Sequence, residues 1–524
     1  MAKKTIKPTK PMEEALWEAC NKLRGSIEPS EYKHVVLSLI FLKYAGDHFE
    51  KRRKEIQEEY GNETFLDMVE FYAAKNVFYL APESRWAFIM QNAKQPNIAL
   101  LIDSALSLVE KHNKPLRGAL PNNYYSSLGI DTTKLASLLD EINKIDTLKD
   151  ESNDLIGRVY EYFLSKFAIA EGKGKGEFYT PKSIVNLIAE LIQPYEGKIY
   201  DPCCGSGGMF VQSLKFVDAH HGNRKNVSVY GQEYTKTTYK LAKMNLAIRG
   251  ISANLGEHEA DTFHNDQHKD LKADFIMANP PFNQSSWREE NQLTDDPRWA
   301  GYDTPSTSNA NYGWILNMVS KLSTNGVAGF ILANGALSSD GTEKEIRKKM
   351  LERGLVEAII ILPAKMFYST DISVSLWVLN ANKKARVVVR EGEELHLRDR
   401  EKEVLFVDLR RKGDPYEKKF VQLSPDTIKE TAELYHRWQL QGASMSDFDK
   451  PEYCHPATLT EIAGNDYSLV PSKYIKFDNS VTHEDYSEKM SAIKSQLADV
   501  LKEEDKSRKD LMALFDDLGF SIEL

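Results

Sequence analysis

The sequence predicts an α/β protein: a doubly wound sheet in the middle of the chain, an all-helical domain before it, and a helical tail of coiled-coil character after it. Three observations carry that prediction. Residues 1 to 150 place their apolar side chains at helical spacing and show no strand-period alternation of any length. Beyond them, short β-rich runs alternate with helical stretches, as in a parallel sheet built from crossover units. From Tyr486 onward a strongly charged stretch sets Met490, Ile493, Leu497, Val500, Leu511 and Leu514 on a seven-residue repeat, interrupted by Glu504 and Ser507.

In chain order, Met12 to Leu23 carries Met12, Leu16, Ala19, Cys20 and Leu23 at helical spacing, and Tyr32 to Phe49 continues with Val35, Val36, Leu39, Ile40, Leu42 and Tyr44. Trp86, Phe88, Ile89 and Met90 form an apolar knot after Pro82, and Leu135, Leu138, Leu139 and Ile142 mark a further amphipathic helix. Lys3, Lys4, Lys7 and Lys10 read first as a solvated tail, with nucleic-acid contact as the alternative. A helix from Leu155 to Ala170, with Tyr160, Phe163 and Phe167 on one side, leads into Glu171-Gly172-Lys173-Gly174-Lys175-Gly176, a mobile glycine-rich loop. Strands are expected at Lys198 to Asp201, Ser228 to Gly231, Ala273 to Ala278, Val327 to Leu332 and Val356 to Leu362, with Ser373 to Leu379 as an antiparallel edge. The clearest intervening helices are Ser183 to Ile192, Thr237 to Ile248 and Glu343 to Arg353. The β-like text from Arg386 to Val407 predicts a small hairpin extension of the sheet, and the chain turns helical again past Leu423. The expected division is therefore an N-terminal helical domain over 1–150, a catalytic domain over 151–422 and a C-terminal helical region over 423–524.

Composition bounds the function. At 41% hydrophobic and 28% charged, the chain has the make-up of a soluble globular protein. It has no apolar run of membrane-span length and no secretory signal, so a cytoplasmic location without membrane attachment is expected. Cys20, Cys203, Cys204 and Cys454 have no zinc-type spacing, and neither a metal site nor a disulfide is expected. A net charge of -9 repels a phosphate backbone unless basic residues cluster or a partner supplies them.

Two stretches carry chemistry. Asn279-Pro280-Pro281-Phe282 follows the strand Ala273 to Ala278, at the carboxyl end where open α/β sheets bind ligands. The prolines hold the backbone extended and remove two amide donors, leaving carbonyl acceptors in front. With the Asn279 side-chain oxygen and the Phe282 ring, they make a slot for a planar group bearing an NH2. Taken alone, a plain strand-capping turn fits as well. Upstream, Tyr200 ends a strand and Asp201-Pro202-Cys203-Cys204-Gly205-Ser206-Gly207-Gly208 precedes a helix from Met209 to Val217. Gly205, Gly207 and Gly208 allow a tight turn close to a ligand at a helix amino terminus. The acid at the strand end disfavours pyrophosphate and favours a cation or amine, and no Walker lysine follows. Glu233 stands after the next strand, where an acid holds ribose hydroxyls, and Asp261 follows before the Asn-Pro-Pro strand, where it can bond an adenine amino group. Each acid alone also reads as a cap. Their order, one per successive strand end, favours a site.

In this order the motifs resemble the S-adenosylmethionine-dependent N6-adenine DNA methyltransferases of the gamma arrangement. Gly176-Glu177-Phe178-Tyr179-Thr180-Pro181 is similar to that family's further cofactor motif. Pro82-Glu83-Ser84-Arg85-Trp86 and Ile142-Asn143-Lys144-Ile145 resemble the modification subunit of type I restriction-modification systems. The resemblance implies a Rossmann-like S-adenosylmethionine-dependent methyltransferase sheet. It implies cofactor binding by Phe178, Tyr179, Thr180, Pro181, Asp201, Gly205, Ser206, Gly207, Gly208, Glu233 and Asp261. Asn279 and the Pro280 carbonyl would accept bonds from the target amino group, Pro281 would line the slot, Phe282 would stack on the flipped base, and Phe367 or Tyr368 would support its other face. It also implies double-stranded DNA as substrate, two such subunits on one specificity subunit, and a separate restriction or motor subunit. Pro202-Cys203 matches a cytosine-methylating nucleophile signature but lies in the glycine turn, so Cys203 reads as a small buried residue.

Two acceptors out of the plane of an exocyclic amine favour a more tetrahedral nitrogen and free its lone pair for in-line attack on a sulfonium methyl. The base must first leave the duplex stack. The alternatives are a methyltransferase of a protein glutamine amide, which tends to carry Tyr where Phe282 stands, a stand-alone adenine methyltransferase, and a non-catalytic DNA-binding subunit, which would require a broken motif. A nuclease is disfavoured, with no Walker motif and no convincing set around Glu417 to Lys419.

Overall fold

The computed structural model describes residues 17, 29–148, 162–163, 166, 180–367, 371–390, 392–416, 420–477 and, toward the C-terminus, 490–491, 493–495, 497–498, 501–502, 504–509 and 511. Most of the expected helices at Met12 to Leu23 and Leu155 to Ala170, the loop Glu171 to Gly176, and Phe178, Tyr179, Tyr368, Glu417 to Lys419, Val500 and Leu514 lie outside the described residues.

The N-terminal domain is built on α1 (Pro29–Tyr60), α2 (Ile98–His112) and α3 (Thr132–Asn143). Every residue from Val35 to Leu42 is buried, so α1 is enclosed on all sides there, as a central helix must be. The two motifs flagged around Trp86 and Asn143 meet: the Trp86 indole N–H donates to Asn143 Oδ1 at 2.8 Å. Asp103 on α2 accepts from the backbone N–H groups of Tyr124, Tyr125 and Ser126, each at 2.9 Å, and so fixes the following turn.

The catalytic sheet is formed by β1 (Gly197–Asp201), β2 (Val227–Gly231), β3 (Ala253–Asn254), β4 (Ala273–Ala278), β5 (Leu322–Ala333), β6 (Val356–Ile361), β7 (Val374–Asn380), β10 (Glu403–Asp408) and β13 (Cys454–Thr458). Their order is β13-β10-β6-β7-β5-β4-β1-β2-β3. Strands β1 to β5 pair in parallel, whereas β7 runs antiparallel to both neighbours. Helices cover both faces: α4 (Lys182–Ile192) and α9 (Pro425–Gln439) on one side, α7 (Asn311–Lys321) and α8 (Thr342–Glu352) on the other. Successive residues such as Phe330 and Ile331, or Trp377 and Val378, pack into opposite cores, as strand alternation requires.

Three expectations change. The strand near Ser373 to Leu379 is antiparallel but lies inside the sheet, between β5 and β6, with all of its residues buried. The expected hairpin extension divides: β8 (Arg386–Arg390) and β9 (Glu393–Leu397) form a separate two-stranded sheet, while Val404 to Val407 joins the main sheet as β10, parallel to β6. The sheet also continues past the boundary expected at 422. Helix α9 packs beside α4, and β13 pairs antiparallel with β10.

Helix α6 (Lys236–Ile248) belongs to both domains. Leu241, Met244 and Ile248 pack into the N-terminal core, while Tyr239, Ala242 and Leu246 pack toward β1 and β2. Lys240 and Lys243 cap carbonyls of Leu120 and Arg117 across the junction, at 3.1 and 3.2 Å.

Candidate active site

The carboxyl ends of β1 and β4 open into one cleft, lined by Thr180, Asp201, Gly205, Ser206, Gly208 and Asn279 among others. Six residues singled out from sequence thus meet at one place. Pro181, beside Thr180, is the N-cap of α4. Gly207 adopts a left-handed φ of 79° and is the N-cap of α5 (Gly208–Ala219), whose amino terminus faces the turn.

Each acid is held by backbone donors. Asp201 is 1% exposed, and its Oδ1 accepts from Cys203 N at 3.0 Å. Burial pushes its carboxyl up to about 7; the Cys203 bonds act against this and the nearby Glu233 charge adds to it. Glu233 accepts from Gly205 N at 3.1 Å and from Thr235 N at 2.8 Å, so it ties the glycine turn to the end of β2. Asp261 accepts from Phe263 N at 2.7 Å and meets the His264 ring at 3.2 Å; no helix follows it before β4, so its side chain closes a turn and caps no helix. Its loop is brought to the cleft by Thr262, whose hydroxyl donates to Pro202 O at 2.5 Å, and by Arg298, which donates to the carbonyls of Thr262 and Phe263. Burial raises the Cys203 and Cys204 thiols well above their usual range, so neither is a thiolate nucleophile.

Asn279 directly follows β4 and is 9% exposed. Its Nδ2 donates to Thr180 Oγ1 at 3.0 Å, and its Oδ1 is buried with no hydrogen-bond partner among the described residues. A buried, unpaired acceptor is costly, and such a group asks for an explanation. Pro280 is buried, and Pro281 and Phe282 are half-buried. Asn283 follows with φ 52°, and Asn311, itself 1% exposed, holds it from both sides: Asn311 Oδ1 accepts from Asn283 N at 3.0 Å and Asn311 Nδ2 donates to Asn283 Oδ1 at 2.9 Å. The exit from the tetrapeptide is thereby fixed. Phe367 is buried and meets Phe282 edge-on, with ring centroids 5.9 Å apart and planes at 78°.

Three residues of the site were not singled out from sequence. Asn245 on α6, 3% exposed, donates from Nδ2 to Ser206 O at 2.7 Å and pins the glycine turn. Asn311 and Arg298 hold the segments on either side of the slot. The available signal for Asn245 was a polar residue between Met244 and Leu246 on an apolar helix.

An antiparallel β7 between β5 and β6, a glycine turn after β1 and Asn-Pro-Pro-Phe after β4 define an α/β methyltransferase. The N-6 DNA Methylase family matches residues 151–483, and the HsdM N-terminal domain matches residues 12–145. The chain belongs to the methylase subunits of type I restriction enzymes and is an adenine-specific DNA methyltransferase. It is 42% identical to the type I restriction enzyme HindI methylase subunit of Haemophilus influenzae, across 80% of this chain and 94% of that one. It is 34% identical to the MjaIX methylase subunit of Methanocaldococcus jannaschii, across 98% and 92%. The fold is that of the methyltransferase subunit of a type I restriction-modification system from Streptococcus thermophilus, with a TM-score of 0.74 and 23% identity over 89% of this chain and 99% of that one. The protein-glutamine alternative falls away with this membership. Among the described residues, no helix is long and apolar enough to cross a membrane.

Proposed function

We propose that this subunit transfers a methyl group from S-adenosylmethionine to the N6 amino group of an adenine flipped out of double-stranded DNA. The observation that carries the reading is the unpaired Asn279 Oδ1, buried at the carboxyl end of β4 beside the glycine turn. The cleft suits the methyl donor: among the described residues, a Cβ placed on Gly205 or Gly208 would meet no atom beyond its own chain neighbours within 4 Å, so the turn backbone is open to a ligand. Pro181, Asp201, Gly205, Ser206, Gly207, Gly208, Glu233 and Asp261, with Phe178 and Tyr179, would hold it. When bound, it supplies an electrophilic methyl on a sulfonium.

The chain's own residues do the rest. Asn279 Oδ1 and the Pro280 carbonyl accept the two N–H bonds of the target amine, draw it toward tetrahedral geometry and orient its lone pair for in-line attack on the methyl; the methyl–sulfur bonding pair would leave with the sulfur as a neutral thioether, and the cationic methylated amine would then release one N–H proton to solvent. Pro281 and Phe282 bound the slot, and stacking on Phe282 offsets part of the unstacking cost. Phe367 closes the slot from the side.

Site choice would come from a separate specificity subunit flanked by two copies of this chain in the cytoplasm, with a restriction or motor subunit joining for cleavage. The exposed apolar row Ile493, Leu497, Leu501 and Leu511 in the helical tail suits packing against such a partner. The test is Asn279→Ala in the assembled complex. Methyl transfer should fall by about 10² or more while S-adenosylmethionine affinity stays near normal. Transfer at the unaltered rate would remove Asn279 from the chemistry.

A further inference from the structure

We propose that Thr180 is a positioning residue for methyl transfer: its hydroxyl oxygen takes the Asn279 Nδ2 bond when Oδ1 meets the target amine, so that the productive amide orientation leaves no buried donor unpaired. This rests on the reading of Asn279 given above. The resemblance assigns Thr180 to cofactor binding; in the structure its hydroxyl oxygen takes the Asn279 Nδ2 bond at 3.0 Å.

A primary amide has two ends of nearly equal size, so sterics alone barely separate it from its flipped form. The Thr180 hydroxyl can accept from Nδ2 or donate to Oδ1, so the target amine makes the choice: it donates to the buried Oδ1, and Thr180 then supplies the acceptor that Nδ2 needs. Flipped, the amide would present NH2 to NH2, two donors facing each other, and the target nitrogen would lose one of its two acceptors. A correct Asn279 in the wrong orientation would thus be as unproductive as no Asn279.

Thr180 stands where it does for reasons of packing. Pro181 caps α4, with its carbonyl accepting from Ile184 N and Val185 N at 3.0 and 3.2 Å. Helix α4 lies directly on β5: a Cβ at Gly329 would come within 2.7 Å of Ile188 Cγ2. Because β5 pairs with β4, the amino end of α4 is set firmly beside the end of β4, where Asn279 sits.

The experiment compares Thr180→Val, Thr180→Ser and Asn279→Ala, singly and as T180V/N279A, in the full chain assembled with its specificity subunit. Single-turnover transfer of labelled methyl to a cognate duplex is measured, and S-adenosylmethionine affinity is read by calorimetry. T180V should lower the transfer rate by about 10- to 100-fold, with cofactor affinity within about threefold of the parent. T180S, which keeps the oxygen, should restore most of the rate. T180V should add nothing on the N279A background, as expected of two residues acting through one group. A T180V rate equal to the parent, with N279A inactive, overturns the positioning role alone. Cofactor affinity falling in step with the rate overturns it in favour of a cofactor contact. An active N279A instead overturns the underlying reading of Asn279. Calorimetric stoichiometry corrects each rate for folded fraction, and Thr180→Ala must reproduce the T180V loss.

Discussion

Asn245 Nδ2 donates to the carbonyl of Ser206 at 2.7 Å, so a helix that packs into the N-terminal core also fixes the glycine turn of the catalytic cleft. Asn245→Leu leaves that carbonyl without its partner, at a cost of about 1–3 kcal/mol. S-adenosylmethionine affinity should fall by about tenfold, with the N-terminal domain still folded. Calorimetry on the variant checks this, and unchanged affinity would show that the turn holds its shape without Asn245.

Adjacent glycines should respond differently. At Gly207, φ is 79° and a Cβ would lie 3.3 Å from Leu246 Cγ, so Gly207→Asp strains the backbone and presses on the core. It should lower stability by about 1–3 kcal/mol. At Gly208, the first residue of α5, nothing lies within 4 Å and an acid suits the helix amino terminus, so Gly208→Asp should keep the melting temperature. It should nevertheless weaken cofactor binding by charge and bulk in the cleft. Thermal unfolding and calorimetry together separate the two effects.

Asp201 gives a pH signature. Its folded pKa of about 7 lies above the usual 3.8, so the folded chain holds a proton that the unfolded chain has released. The stability from this group is therefore fully present below about 4 and is lost as pH rises through about 7. A cationic ammonium facing the carboxylate favours the ionised form. S-adenosylmethionine affinity should accordingly rise between about pH 6 and 8, with proton release on binding below about 7. Asp201→Asn should abolish the release; an identical pH profile in that variant would assign the proton elsewhere.

The tail should act in assembly and not in chemistry. Ile493→Glu with Leu497→Glu places charges on side chains that are 57% and 56% exposed, so the fold should be unaffected. Cofactor affinity should persist, while co-purification with the specificity subunit and site-specific methylation decline. Deleting residues 484–524 should do the same. Undiminished assembly in both variants would move the interface to another surface.

What was legible in the sequence follows from burial. Strands β4 and β6 are mostly apolar because helices cover both faces, and such runs stand out against their flanks. The same uniformity hid the place of β7, since an all-buried strand reads alike wherever it lies in the sheet. β13 escaped notice because Cys454-His455-Pro456-Ala457-Thr458 contains a proline; as the outermost strand it tolerates one, with Pro456 opposite Leu405. The cleft was legible where a residue stands at or just past a strand end, as at Asp201 and Asn279, with Glu233 tied to the glycine turn beside them. It was not legible where a helix or a long loop supplies the support, as with Asn245, Asn311 and Arg298.

The edge-on contact between Phe282 and Phe367 makes the resting slot self-occupied. On the reading proposed above, a base drawn between these rings would exchange with an intramolecular partner and would not enter a vacancy. Such a ring pair contributes about 0.5–1.5 kcal/mol, which every incoming base must replace. A purine, with its larger face, returns more on stacking than a pyrimidine does, so the exchange itself discriminates between bases before any edge is read.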